Sequence, residues 1–204
     1  MAEPAPLSGS IDGAPAPDRQ APQPPLPREQ RLTATVAVSL ASFMHGVDLA
    51  VTNVSVPAIA GNLGGSLTQG TWAITSYAVA SAIVIPLTGW LTTRFGQVRV
   101  FVSSVLMFTL ASMLCGLSSS LEMLVLARAL QGLTSGPMTP VAMSLLLAAY
   151  PPNKAATAMT VAMMTAMISP VVGPLLGGWI TDNLSWPWIF YVNLPVGLYS
   201  AWAS

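Results

Sequence analysis

The sequence predicts an all-α protein, a polytopic bundle of membrane-spanning helices. Of its residues, 53% are apolar and only 7% are charged, and the mean hydropathy of +0.65 is far above that of a soluble globular domain. The charges are also uneven, because half of them lie in the first 31 residues. The remainder consists of apolar runs of about 20 residues or more, the length that crosses a bilayer as a helix.

The elements follow in order along the chain. Residues 1–31 contain eight prolines and almost no large apolar side chain, so we predict a disordered cytoplasmic tail. The first apolar run is too long, and begins too late, for a cleaved signal peptide, which favours an uncleaved span. Short polar or turn-forming connections make neighbouring helices antiparallel. The transmembrane domain is predicted over residues 32–204, with helices at about 32–57, 71–92, 98–117, 123–149, 155–180 and 188–204, the last cut short.

The basic residues predict the orientation. Short cytoplasmic loops carry the excess of Lys and Arg. Six basic residues fall on one side of the predicted bundle, whereas the opposite loops offer only Glu122 and Asp182. We therefore expect a multi-pass protein of the cell inner (plasma) membrane with a cytoplasmic amino terminus. The six are Arg19, Arg28, Arg31, Arg94, Arg99 and Lys154.

Two ionisable residues, Asp48 and Arg128, lie well inside apolar spans. Each costs about 2.5 to 3.5 kcal/mol at a helix centre on insertion scales, so a compensating reason is expected. One interpretation is that the two residues pair and only hold the bundle together. The other is that Asp48 takes up and releases a proton, because burial disfavours the charged carboxylate while a neighbouring guanidinium favours it. A carboxylate that binds either a proton or a cationic substrate is the minimal device for exchanging one for the other.

Two polar neighbours of Asp48 are further candidates. His45 lies three residues earlier, so both side chains project from the same helical face and His45 is a candidate for proton coupling. A lone histidine in a helix also serves as an ordinary hydrogen-bonding residue. Asn53, with Thr52 beside it, is placed to line a cavity or to bond between helices, and the sequence does not separate these uses.

Small residues recur at helical spacing in the fourth and fifth spans. The fifth has Ser169, Gly173, Gly177 and Gly178 together with Pro170 and Pro174, and the fourth has Gly132 and Gly136. Such faces allow helices to approach closely. Helix packing alone explains the pattern, and the alternative is a bent seam that controls which side of the membrane the cavity opens to.

The sequence contains no enzymatic or cofactor-binding motif. No glycine-rich loop is followed by Lys-Ser or Lys-Thr, and Lys154 is the sole lysine. No His and Cys cluster predicts a metal, and His45 is the only partner for a serine nucleophile. The single cysteine, Cys115, is predicted to be a buried thiol. A formal net charge of zero without a basic stripe excludes nucleic acid as a partner. We expect no enzyme activity and no cofactor.

Four spaced motifs resemble the major facilitator superfamily, within it the fourteen-helix drug:proton antiporter branch of the EmrB/QacA type. Residues 48–57, DLAVTNVSVP, look like the first-helix signature with Asp48 as its acid, and residues 59–90 look closest to the EmrB type. Residues 128–132, RALQG, followed by Gly136, look like the fourth-helix motif, and residues 173–178, GPLLGG, look like the fifth-helix antiporter motif. The loop motif between helices two and three retains Gly89, Arg94, Gly96 and Arg99, with Thr93 where the family usually has Asp. Residues 186–197 resemble the entry to helix six.

The resemblance implies a fold and an activity. The fold would be the amino-terminal six-helix half of a major facilitator transporter with a truncated sixth helix, and Gln131 would belong to the substrate cavity. The activity would be proton-coupled efflux of lipophilic, often cationic compounds, with export of a siderophore, amino acid or lipid, or a non-transporting interaction fragment, as alternatives. Expected partners are the missing carboxyl-terminal half, a periplasmic adaptor, an outer-membrane channel and the lipid bilayer. The isolated chain is not expected to transport.

Overall fold

A computed structural model describes residues 28–202, and within this range the chain is helical with no strand. Five helical segments are long and apolar enough to cross a membrane, which confirms the predicted all-α bundle. The last two helices are short. The helices are α1 (Arg28–Asn62), α2 (Leu67–Val84), a 3-10 turn (Ile85–Leu87), α3 (Thr88–Phe95), α4 (Gln97–Gly116), α5 (Leu121–Ser135), α6 (Met138–Ala149), α7 (Pro152–Asn183), α8 (Trp188–Tyr191) and α9 (Asn193–Trp202).

The helix α1 is longer than predicted at both ends. It begins at Arg28, so residues 28–31 of the predicted tail are helical, and the rest of that tail lies outside the described residues. The helix also continues past the predicted end at Pro57, to Asn62. Proline removes one N–H donor and leaves one carbonyl without its partner, a loss that a spanning helix tolerates where its neighbours satisfy the freed group.

Proline and glycine divide two of the predicted spans. The second span is α2 and α3 joined by the 3-10 turn that contains Pro86. The fourth span is α5 and α6, which meet at Gly136 and Pro137. In contrast, α7 remains a single helix of 32 residues through Pro170 and Pro174. A single residue, Gly96, separates α3 from α4 at φ 86°, a left-handed conformation that favours glycine.

The turns at the opposite end of the bundle are capped by side chains. The Ser66 hydroxyl accepts a hydrogen bond from the Gln69 backbone, and the Gln69 side chain accepts one from the Ser66 backbone, which begins α2. Ser120 caps α5 in the same way through the Met123 N–H. These caps satisfy donors that a helix start leaves unpaired.

Two apolar clusters form the core, and the functional site lies between them along α1. One contains Val38, Ala41 and Met44 of α1 with Phe101 and Phe108 of α4. The other contains Val47, Val51 and Ile59 of α1 with Leu124 of α5, Trp186 and Phe190. Large apolar side chains that point outward are common on α2 and α7, as expected of helices that face lipid or further helices.

Candidate functional site

Asp48 and Arg128 form a buried ion pair at the centre of the bundle. Arg128 Nη1 lies 2.6 Å from Asp48 Oδ2, and the two side chains are 0% and 1% exposed, respectively. The pair joins α1 to α5 across 80 residues of sequence. Each charge would be costly to bury alone, and the attraction offsets part of that desolvation. The two ionisable residues that the sequence singled out are therefore in direct contact.

Two amides complete the surroundings of the Asp48 carboxylate. Gln131 Nε2 donates to Oδ1 at 3.1 Å, and Asn193 Nδ2 donates to the same oxygen at 2.8 Å. A carboxylate offers about four lone-pair positions. Oδ1 therefore has both positions filled, whereas Oδ2, which accepts from Arg128 alone, has one position left for a proton.

Arg128 has partners besides Asp48. Nη1 also donates to Gln131 Oε1 at 2.6 Å, and Nε donates to the Ala73 carbonyl of α2 at 3.3 Å. The guanidinium carbon lies 4.2 Å from the centre of the Tyr77 ring and 5.9 Å from that of Phe190, within the range of cation–π attraction. The remaining nitrogen, Nη2, is buried and has no hydrogen-bond partner.

Gln131 connects the two charged groups. Its amide nitrogen donates to the carboxylate and its amide oxygen accepts from the guanidinium, so one side chain contacts both members of the pair. The Cys115 thiol, which is buried as predicted, also donates to Gln131 Oε1 at 3.5 Å. The position three residues after Arg128 puts Gln131 on the same face of α5.

The other two predicted neighbours of Asp48 lie elsewhere. His45 shares a 2.9 Å hydrogen bond between Nδ1 and the Tyr77 hydroxyl, and no hydrogen bond joins it to Asp48. Tyr77 thus lies between His45 and Arg128. Asn53 is exposed, because it points away from the face of α1 that carries Asp48. A step of five residues rotates a side chain by more than a third of a turn.

Asn193 and Tyr77 are the members of the site that sequence reasoning did not assign. Asn193 begins α9, is 2% exposed and also donates to Ser112 Oγ at 2.9 Å, while the Ser112 hydroxyl donates to the Phe190 carbonyl. An amide inside an apolar span was the available signal for Asn193. Tyr77 carries no such signal, since a lone tyrosine in a span is typical of packing or of the membrane interface.

The glycine motifs divide into packing and exposed positions. A Cβ at Gly132 would collide with the Tyr77 carbonyl, and one at Gly136 would lie 2.9 Å from the Ser81 carbonyl, so α5 packs tightly against α2. A Cβ at Gly173 would collide with Ala50, and one at Gly177 would lie 3.1 Å from Val51 Cγ1, so α7 packs tightly against α1.

Other motif residues contact neither the ion pair nor a tight seam. A Cβ added at Gly89 or Gly178 would meet nothing within 4 Å in the described part of the chain, and Pro174 is exposed, so their roles stay predictions. Arg94 and Arg99 are exposed beside the turn at Gly96. In the described part of the chain, no group of three or more His, Cys, Asp and Glu side chains forms a metal site.

A bundle with five helices long and apolar enough to cross a membrane, and with a buried acid and arginine in contact between two of them, is typical of membrane transporters. The chain belongs to the Major Facilitator Superfamily, whose family model matches residues 38–203. It is 51% identical over 176 residues to multidrug export protein EmrB of Escherichia coli (strain K12), which covers 86% of this chain and 34% of that protein. It is 48% identical over 179 residues to fatty acid resistance protein FarB of Neisseria gonorrhoeae, covering 88% and 35% of the two chains. The chain thus spans about a third of the length of these relatives.

Two solved structures share the fold. A bacterial homolog of the human lysosomal transporter Spinster, inward-facing and unoccupied, matches with a TM-score of 0.71 at 20% identity, covering 88% of this chain and 44% of that one. The proton:xylose symporter XylE matches with a TM-score of 0.75 at 12% identity, covering 85% and 44%. At these identities the likeness defines the fold alone.

Proposed function

We propose that the chain is the amino-terminal part of a proton-coupled exporter of lipophilic, often cationic compounds, and that Asp48 is its proton carrier. The observation that carries the proposal is the environment of Asp48, a buried carboxylate with three donors and one free lone-pair position on Oδ2. The similarity to relatives named multidrug export proteins supports export of drug-like compounds. We further propose that the exporter lies in the inner membrane with a cytoplasmic amino terminus, where Arg31, Arg94, Arg99 and Lys154 share one side.

The mechanism follows from the partners that each charge retains. A proton on Oδ2 neutralises Asp48 and weakens its bond to Arg128. Arg128 remains held by Gln131 Oε1, by the Ala73 carbonyl and by the Tyr77 and Phe190 rings. The Arg128 guanidinium therefore keeps partners whether Asp48 is charged or neutral, so the site can exist in both protonation states. A cationic substrate near Asp48 favours the charged carboxylate and so drives the proton off.

The same contacts link the proton to the helices. Asp48 bonds to α5 through Arg128 and Gln131 and to α9 through Asn193. Neutralising the carboxylate weakens all three bonds together, since hydrogen bonds to a charged acceptor are stronger than those to a neutral one. We propose that this change biases the movement of α1, and of α7 packed against it, between the two openings of the cavity. His45 would act on this site through Tyr77.

The whole transporter would include further partners. The remaining helices of a carboxyl-terminal half would supply the opposite wall of the substrate cavity, which the exposed Asn53 would help to line. Gln131 is 0% exposed and would act through the ion pair that it joins. A periplasmic adaptor and an outer-membrane channel would extend the export path. The isolated 204 residues would then bind neighbouring helices but would not transport.

A second candidate is export of amphipathic carboxylates. The similarity to a relative named as a fatty acid resistance protein favours it, and the buried, partly unpaired Arg128 is a group that attracts an anion. The two candidates differ in the substrate that triggers proton release from vesicles: a lipophilic cation for the first and a medium-chain fatty acid for the second.

The test is Asp48→Asn in the full-length exporter that contains these residues, reconstituted in vesicles. Substrate-driven proton release should fall by at least about tenfold, because Asn cannot carry a proton, while exchange of labelled for unlabelled substrate continues. The matched control is Asp182→Asn, an exposed acid at the end of α7, which should leave release unchanged. Undiminished release in Asp48→Asn would exclude Asp48 as the carrier.

A further inference from the structure

Five buried side-chain atoms in the described part of the chain lack a hydrogen-bond partner, and three of them belong to Arg128 or to residues that follow Asp48 along its face of α1. They are Arg128 Nη2, Thr52 Oγ1 and Ser55 Oγ, the others being Arg31 Nε and Ser39 Oγ. Thr52 and Ser55 are each 1% exposed and Arg128 is 0% exposed. A buried polar group without a partner costs about 1 to 3 kcal/mol. These three unpaired groups therefore favour a bound ligand that forms hydrogen bonds with them.

The hydroxyls of Thr52 and Ser55 differ from those of other buried residues such as Thr109 and Ser118. A helical hydroxyl commonly donates to the carbonyl three or four residues earlier. Thr109 does so to Val105 at 2.8 Å and Ser118 does so to Leu114 at 3.0 Å, and both residues are buried. Thr52 and Ser55 make no such bond, so their donors and lone pairs remain free within the core.

Their spacing along α1 suits bridging water. Residues 48, 52 and 55 follow the pattern i, i+4, i+7 and lie on one face of the helix. Successive positions rise by about 6 Å and about 4.5 Å along the axis, and neither hydroxyl has a direct hydrogen-bond partner. Two hydrogen bonds through one water span about 5.5 Å.

We propose that Thr52, Ser55 and Arg128 Nη2 bind internal water and that this water carries protons between Asp48 and the end of α1 at Asn62. The inference rests on the proposed function, because it supplies the route to the proton carrier proposed above. A proton passes to Oδ2, the oxygen with a free position. Each transfer breaks one O–H bond and forms another, so the hydroxyls and waters end unchanged and no other reactant is consumed.

The apolar side chain of Ile59 closes this route in the present conformation. Ile59 lies four residues after Ser55 on the same face and is 1% exposed. Water bound at Thr52 and Ser55 is therefore separated from the end of α1, the extracytoplasmic side in the orientation proposed above. Because the route is polar near Asp48 and apolar at Ile59, a proton can be held near Asp48 while continuous passage of protons to the end of α1 is blocked.

The experiment compares hydroxyl deletions in the full-length exporter reconstituted in vesicles. Thr52→Val keeps the shape and removes the hydroxyl, and Ser55→Ala does the same at the second position. Substrate-driven proton release should slow by about tenfold in each, with a changed solvent deuterium isotope effect, whereas exchange of labelled substrate and thermal stability are maintained. Thr52→Ser should restore the rate. The matched controls are Thr109→Val and Ser118→Ala, whose hydroxyls are satisfied by backbone carbonyls.

The results for Asp48, Thr52 and Ser55 distinguish failure of the water route from failure of the proposed function. If Asp48→Asn abolishes proton release but Thr52→Val and Ser55→Ala retain the rate of the unmodified exporter, the water route is wrong and the proton carrier stands. If Asp48→Asn retains proton release, the proposed function itself fails. A slowing that Thr52→Ser does not reverse, or that Thr109→Val reproduces, means that packing rather than water is responsible. Should Thr52→Val fail to accumulate, Ser55→Ala, the smaller change, decides between these results.

Discussion

At the scale of single residues, Gln131 is as important to the site as the two charges it contacts. It donates to Asp48 Oδ1 and accepts from Arg128 Nη1. Either charged group therefore keeps a hydrogen bond to Gln131 when the other group changes. Arg128 has partners other than Asp48, whereas Asp48 depends on three hydrogen-bond donors that are all buried with it. A change at Arg128 therefore leaves a carboxylate that is 1% exposed with amide donors alone.

This asymmetry predicts a coupling in stability. Arg128→Met should lower the free energy of unfolding by about 3 to 5 kcal/mol, because it leaves a buried charge without its counter-charge. Adding Asp48→Asn removes that orphaned charge, so the double variant should be more stable than Arg128→Met alone. The measurement is a double-mutant cycle of denaturant unfolding in detergent, with Arg94→Met as an exposed control. Strictly additive effects of the two changes would contradict the coupling.

How much of the site the sequence predicts also depends on residue type. Asp48 and Arg128 are recognisable because an ionisable side chain in an apolar span is rare and costly. The amide of Asn193 is a weaker signal and Tyr77 carries none, since a span contains several amides, hydroxyls and rings, and which of them reach the site depends on how each helix is rotated about its axis. Asn53 and Asn193 have the same side chain, yet one is exposed and the other bonds to Asp48.

At the scale of helices, the seam between α1 and α7 is made by small residues from both sides. Gly46 of α1 faces Ser169 of α7, and further along Gly173 and Gly177 face Ala50 and Val51. The sequence predicts the four-residue repeat but does not reveal which neighbour of a glycine pair faces the partner. Consecutive helical residues point about 100° apart, so Gly177 and Gly178 cannot both lie in one seam.

The two kinds of glycine in α7 should respond oppositely to the same change. Gly173→Ala introduces a Cβ that collides with Ala50 across two packed backbones, and it should lower stability by about 1 to 3 kcal/mol. Gly178→Ala meets open space and gains helix propensity, so it should be neutral or stabilising by up to about 1 kcal/mol. Thermal unfolding of the purified variants measures both. Equal effects at the two positions would contradict the seam.

At the scale of the whole molecule, the antiparallel order of the spans brings the basic residues together. The Thr35 and Tyr150 hydroxyls share a 2.8 Å hydrogen bond, which joins the beginning of α1 to the end of α6, and Arg31 stacks 6.0 Å from the centre of the Tyr150 ring. The sequence predicts this order because short connections allow no other. It does not predict the helix ends, since Pro57 and Pro174 break no helix whereas Pro86 and Pro137 coincide with breaks.

The orientation makes a prediction that a pair of cysteine variants can test. Gln97 and Ser119 are exposed at opposite ends of α4, whose 20 residues span about 30 Å, the thickness of a bilayer core. The native Cys115 is buried and should contribute little background. A membrane-impermeant maleimide applied to right-side-out vesicles should label Ser119→Cys at once and Gln97→Cys only after permeabilisation, because the loop with Arg94 and Arg99 is expected to be cytoplasmic. The reverse pattern would invert the orientation, and labelling of both from one side would exclude α4 as a spanning helix.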